Sequence, residues 1–271
     1  MNKKQKIRSG LIFIGLIIIF LMGSILTANP HKAHGDIQEV MRDAVLHETG
    51  QIRIFGDFTV NPGLVSAFAV TGILFVAALC IRLFLIPRFT MVPGRFQMLL
   101  EQLVGLFDGM TRGNSPHRNK FLSAYVFAVG VYIFVSTIFE LFGFQAVTIN
   151  GTPIALPAPM SDINAAICIG CLSYLIILSG GIAEHGIKGL GKGLKEFSLP
   201  ISMSFRLFGA LLSGALVTEL VYHFSAMSYV IPVIVGIMFT LLHAVIQAYV
   251  LTMLTSLFYG EVSEPAHGHD H

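Results

Sequence analysis

Residues 202–217 read SMSFRLFGALLSGALV, a stretch that is apolar or small at every position except Arg206. Its length and composition suit a membrane helix, yet arginine keeps its charge at any accessible pH. Comparable apolar runs recur at about Ser9–Thr27, Leu64–Ile86, Phe121–Phe144, Ile163–Ile182, Pro200–Phe224 and Ile231–Tyr259. Each is long enough to cross a bilayer. Hydrophobic residues make up 54% of the 271-residue chain and charged residues 12%. The pattern predicts an all-α polytopic membrane protein of about six transmembrane helices and argues against a soluble enzyme. A net charge of +2 gives no reason to invoke nucleic acid. Cys80, Cys168 and Cys171 all lie in apolar segments, so no disulfide framework is expected. Without tryptophan, the interfacial belt must come from tyrosine, lysine and arginine.

The distribution of positive charge orients the spans. Residues 1–28 carry a basic flank, MNKKQKIR, before an apolar run, and read as an N-terminal membrane helix or a signal-like segment. Residues 29–62 are polar and read as external. A membrane domain follows over 63–260, and 261–271 form a His-rich cytoplasmic tail. Arg88, Arg95, Arg112, Arg118 and Lys120 crowd one connection, and Lys188, Lys192 and Lys195 another. Both are placed on the cytoplasmic side by the positive-inside rule. The intervening QAVTINGTPIALPAPMSD has no Lys or Arg and reads as external. The short link SAMSYVIP makes the last two spans a long antiparallel hairpin, and their length implies tilt.

At 100° per residue, Ser202, Gly209 and Ser213 fall within about 60° of Arg206, with Ala210 and Gly214 nearby. Small residues let another helix approach closely. Glu219 lies on a different face, shared with His223 one turn later. On the last span Thr240, His243 and Gln247 form one narrow polar stripe. A turn near residues 226 and 227 brings Arg206 and Gln247 to the same depth, the arginine opposite a neutral amide. No acid lies on that stripe, so the charge looks outside the chain for its anion. A plainer reading stays open: Arg206 is six residues after Pro200 and could reach the cytoplasmic interface along its own stem.

FRLFGALLSGALV followed by HAVIQAYVLTMLTSLFYGE resembles the last two helices of subunit a of the F-type ATP synthases. VPGRFQMLLEQLVGLFDG, residues 92–109, is similar to a cytoplasmic segment of that family, and SDIN, residues 161–164, to the start of its next helix. The similarity covers about residues 60–260. It implies an ion-translocating stator subunit of the membrane sector, non-catalytic by itself and needing no cofactor, in a bacterial-type plasma membrane. Implied partners are the c-ring, peripheral-stalk subunit b and the other synthase subunits, with H⁺ or Na⁺ as the translocated ion. Arg206 becomes the essential stator arginine and Gln247 its neighbour.

The implied mechanism agrees with the chemistry of the residues. A ring carboxylate must be neutral while facing lipid, and a fixed cation at the interface favours its ionised form. Arginine alone keeps its charge there. Glu219, His243, His223, Ser213 and Thr240 are expected to take part in translocation. Glu140 and Asp162 are candidates for an outer half-channel, and Glu184, His185 and Glu196 for an inner one. Ser202, Gly209, Ala210 and Gly214 are expected to face the ring. Ala215 stands where many members carry an acid, leaving Glu219 as its substitute.

Two rival functions are a secondary transporter or channel binding an anionic substrate at Arg206, and an intramembrane hydrolase using Ser213 with His243. The first lacks an internal repeat, and the second has Leu211 where a nucleophile motif needs glycine. CIGC, residues 168–171, has redox spacing but sits inside a membrane run. GLGKGLKEF lacks phosphate-loop order. No metal site is assigned, the His-rich tail reading as solvated.

Overall fold

The computed structural model describes residues 14, 15, 18, 22, 52–55, 58–116, 119–147, 153–223 and 231–264. Most of the first hydrophobic segment, the 224–230 link and the His-rich tail from residue 265 lie outside them. Five helices among the described residues are long and apolar enough to cross a membrane: Pro62–Arg88, Lys120–Phe142, Ile163–His185, Ser198–Thr218 and Ile234–Val262. They correspond to the last five expected spans. The chain is an all-α polytopic membrane protein.

Before the first of these helices, β1 (Ile52–Phe55) pairs antiparallel with β2 (Phe58–Val60). Helix α1 (Pro62–Cys80) begins at Asn61, whose side chain accepts from the Gly63 N–H at 3.0 Å. Pro62 at the first helical position loses no bond the helix would have made. The helix widens into a π turn at Ile81–Leu85 and closes with a 3₁₀ turn at Ile86–Arg88. Pro87 supplies the reason, since it has no N–H and its ring crowds the preceding turn.

The basic connection expected over 87–120 contains a helix of its own, α2 (Arg95–Asn114). It buries Phe107 and Thr111 and exposes Phe96, Leu99, Leu103 and Leu106. Gln97 fixes the approach to it: its Oε1 accepts from the Thr90 N–H at 3.2 Å and its Nε2 donates to the Thr90 carbonyl at 3.1 Å. Helix α3 (Asn119–Phe139) ends in a 3₁₀ turn at Glu140–Phe142, and Gly143 takes the left-handed conformation that terminates it. The turn-rich external connection includes a second hairpin, β3 (Gln145–Val147) with β4 (Pro153–Ala155).

Asp162 caps α4 (Ile163–His185), accepting from the Asn164 N–H at 2.9 Å. Gly186, with φ of 62°, reverses the chain into α5 (Ile187–Lys195), a helix where the sequence suggested a basic loop. Two long helices follow, α6 (Ser198–His223) and α7 (Ile231–Val262). The described residues form two compact units, dividing α6 after Leu212 and α7 after Phe239. The core of the larger unit joins Leu122, Val126 and Ile133 of α3, Ile177 of α4, Met203 and Leu207 of α6, and Leu251 and Tyr259 of α7.

Candidate functional site: an exposed arginine on a small-residue stripe

The environment of Arg206 follows from how α5 and α6 return along α4. Gly189 lies so close to Gly181 that a Cβ at 189 would meet the Gly181 carbonyl oxygen. Tyr174 Oη donates to the Gly193 carbonyl at 3.2 Å. Gly170 faces Pro200 and Ser204, and Met160 packs in one cluster with Leu211. Position falls on one limb as it rises on the other, which is an antiparallel register. Ser204 is thus level with Gly170, fifteen residues from His185, or about 22 Å along α4. Arg206 lies beyond Ser204, away from the lysine-bearing turn. The returning limb begins at Gly186, so Pro200 does not mark its start.

Helix α6 buries Met203, Leu207 and Leu211 and leaves Ser202, Arg206, Gly209 and Ser213 exposed. Ala210 and Gly214 are half-buried at the margin of this stripe. Nothing within 4 Å would meet a Cβ at Gly209, so the surface beside the arginine is open. Among the described residues no carboxylate pairs with Arg206, whereas Arg112 pairs with Asp108 at 2.7 Å.

Gln247 differs from Arg206 in burial. It is 6% exposed, and its Oε1 is buried without a hydrogen-bond partner. Arg206 and Gln247 share no hydrogen bond; the cation is exposed and the amide is buried. Ala244 and Ala248 are buried beside Gln247, and this face of α7 belongs to the core. Thr240 and His243 are half-buried. The backbones of Glu219 and His223 are helical, but their side chains lie outside the described residues.

Of the outer candidates, Glu140 is half-buried in the 3₁₀ turn after α3. Asp162 is engaged: besides capping α4, its Oδ2 accepts from Asn61 Nδ2 at 3.0 Å. Of the inner ones, Glu184 is exposed. His185 Nε2 lies 2.8 Å from the Glu264 carbonyl and 3.3 Å from Lys192 Nζ. Glu196 lines a cavity of about 280 Å³ with Lys192, Lys195, Glu261 and Val262. Sequence reasoning missed Glu261 as a member of this group. Lys192, Lys195 and Glu196 share one helical face by spacing, but Glu261 joins them only through the end of α7.

The ATP synthase A chain family matches residues 65–260. The chain belongs to that family. Known relatives agree. ATP synthase subunit a of Cereibacter sphaeroides is 25% identical over 192 residues, covering 66% of this chain and 74% of the relative. The subunit a of Histophilus somni is 27% identical over 197 residues, covering 62% and 73%. A sodium ion specific subunit a, from Propionigenium modestum, is 27% identical over 186 residues, covering 62% and 63%. Family membership makes the chain an ion-translocating subunit of the synthase membrane sector, non-catalytic by itself. It is a multi-pass protein of the bacterial plasma membrane and works among other synthase subunits. No comparison supports a substrate transporter.

Proposed function

We propose that Arg206 is the fixed cation of the stator, offered to a rotating ring of membrane carboxylates that faces the Ser202–Ser213 stripe. One observation carries this reading: Arg206 is exposed on a stripe of small residues and has no acid partner among the described residues. A carboxylate arriving on the ring is drawn to its ionised form by the guanidinium and gives up its ion. Burial cannot neutralise that cation, so it also blocks direct leakage between two half-channels. Ser202, Gly209, Ala210 and Gly214 admit the ring helices, as small residues do in membrane packing. The membrane potential supplies about 2.3 kcal/mol per charge per 100 mV.

In this reading Gln247, His243, Ser213, Thr240, Glu219, His223 and Glu140 serve the ion path toward the outer side. The cavity around Glu196 and Glu261 serves the inner path, together with His185, which lies against Lys192 of its lining, and Glu184. The c-ring and peripheral-stalk subunit b are the direct partners, and H⁺ or Na⁺ is the ion. Residues 63–260 form the membrane domain between an external 29–62 segment and a cytoplasmic 261–271 tail. Residues 1–28 add a membrane helix or signal-like segment.

The test is Arg206→Ala in the intact complex in inverted membrane vesicles. ATP-driven ion uptake should vanish while the chain still co-purifies with the ring. Arg206→Lys should also fail, because a buried lysine can shed its proton. Coupled uptake at the normal rate in Arg206→Ala would defeat the proposal. Na⁺ stimulation of ATP hydrolysis in the unmodified complex would separate Na⁺ from H⁺.

A further inference from the structure

Asp162 and Asn61 are 101 positions apart, yet one hydrogen-bond chain joins them and caps two helices. The Gly63 N–H donates to Asn61 Oδ1 at 3.0 Å, Asn61 Nδ2 donates to Asp162 Oδ2 at 3.0 Å, and Asp162 Oδ1 accepts from the Asn164 N–H at 2.9 Å and from Asn164 Nδ2 at 3.2 Å. Both carboxylate oxygens are therefore occupied. The two backbones approach closely as well, since a Cβ at Gly63 would come within 3.1 Å of Asp162 Cβ.

What precedes Asp162 gives the tie its reach. Ala158 and Met160 are fully buried and pack with Leu211 of α6, helped by Tyr132, Ala165 and Ile169. Leu211 lies five positions beyond Arg206, on the buried face of the same helix. The start of α1, the 158–162 turn and the arginine-bearing helix form one packed series.

We infer that the Asn61–Asp162 pair is a positioning clamp that holds the 158–162 turn against Leu211 and so sets Arg206 relative to the ring. Asp162 then acts through hydrogen bonds rather than by carrying an ion. This rests on the reading of Arg206 given above for what the clamp serves.

Exchanging the two residues separates the roles. In Asp162→Asn a single amide oxygen must serve the donors of both Asn61 and Asn164. In Asn61→Asp two carboxylates face each other. The double variant Asn61→Asp with Asp162→Asn restores every bond, with the carboxylate moved to the other helix. ATP-driven uptake per assembled complex, in inverted vesicles, should fall at least roughly fivefold in each single variant and return to within about twofold in the double, the scale of losing and regaining one cap. A double variant as defective as Asp162→Asn, beside a functional Asn61→Asp, would show that a carboxylate is needed at 162 itself and would overturn the clamp. Undiminished uptake in both single variants would overturn it too. Arg206→Ala in the same vesicles reports separately, because uptake retained there defeats the arginine reading and not the swap.

Discussion

Ser204 of α6 sits against Gly170 of α4 so closely that a Cβ at position 170 would meet Ser204 Oγ and come within 2.9 Å of the Pro200 carbonyl oxygen. Ser204 Oγ donates to that same carbonyl at 2.6 Å. The contact involves backbone, so no rotamer change relieves it. Gly170→Ala should cost about 1–3 kcal/mol by overpacking. Because the seat lies two residues before Arg206, uptake per assembled complex should drop as well. Adding Ser204→Ala should recover only part of the loss, since the Pro200 carbonyl remains. Membrane yield and uptake in the single and double variants check this.

Gln247 presents the opposite case, a polar group kept unpaired in the core. An unsatisfied buried acceptor costs about 1–3 kcal/mol. Gln247→Leu should leave the subunit as stable as before or more so, while ion translocation falls severely. Thermal inactivation of the purified complex and vesicle uptake should thus move in opposite directions. A variant that loses both together would mark Gln247 as a packing residue.

The cavity lined by Lys192, Lys195, Glu196 and Glu261 is mixed in charge and opens on the lysine-bearing side. Cysteine at 195 or 261 should react with a membrane-impermeant thiol reagent added to inverted vesicles, and modification should slow ion uptake. Glu261→Gln should lower the rate several-fold without abolishing it, because the neighbouring Glu196 keeps the wall polar. Full activity after modification would exclude this cavity from the ion path.

The return of α5 along α4 depends on Gly189 and on the Tyr174 hydroxyl. Tyr174→Phe removes one hydrogen bond and should cost about 0.5–1.5 kcal/mol, a mild loss of stability with coupling intact. Gly189→Ala drives a methyl into the Gly181 carbonyl and should reduce the assembled subunit far more. Immunoblots of membrane fractions distinguish the two.

Asp108 and Arg112 form an i, i+4 ion pair in which the arginine side chain is 68% exposed. Such pairs contribute about 0.3–0.5 kcal/mol. Asp108→Asn should leave assembly and uptake unchanged, which makes it a control for charge removal on α2.

Composition and apolar run length are enough to read the fold class, because backbone groups in a bilayer must be bonded within a helix or a closed barrel, and continuous apolar runs of about 20 residues suit only the helix. Arg206 and its small-residue stripe were equally legible, as 100° spacing alone sets which residues share a face. The two basic connections were not, since positive charge reports their side of the membrane but says nothing of whether they coil. Lys188, Lys192 and Lys195 are compatible with a loop or with α5, and the choice rests on Gly181 and Gly189, eight positions apart, meeting across the Gly186 turn. The hydrogen bonds of Asp162 were not legible either. Its partner Asn61 lies a hundred residues away and leaves no local signal.

By itself, then, the sequence determined a bundle of membrane helices and a permanent cation, Arg206, set in a stripe of small residues, since both are properties of single segments. The tertiary structure alone decided that Gln247 is buried in the core and that Asp162 is held by Asn61. Each of these depends on which surfaces of distant segments come within a few ångströms of each other. Contact at that range is set by steric fit between helices, and no periodicity within one helix encodes it.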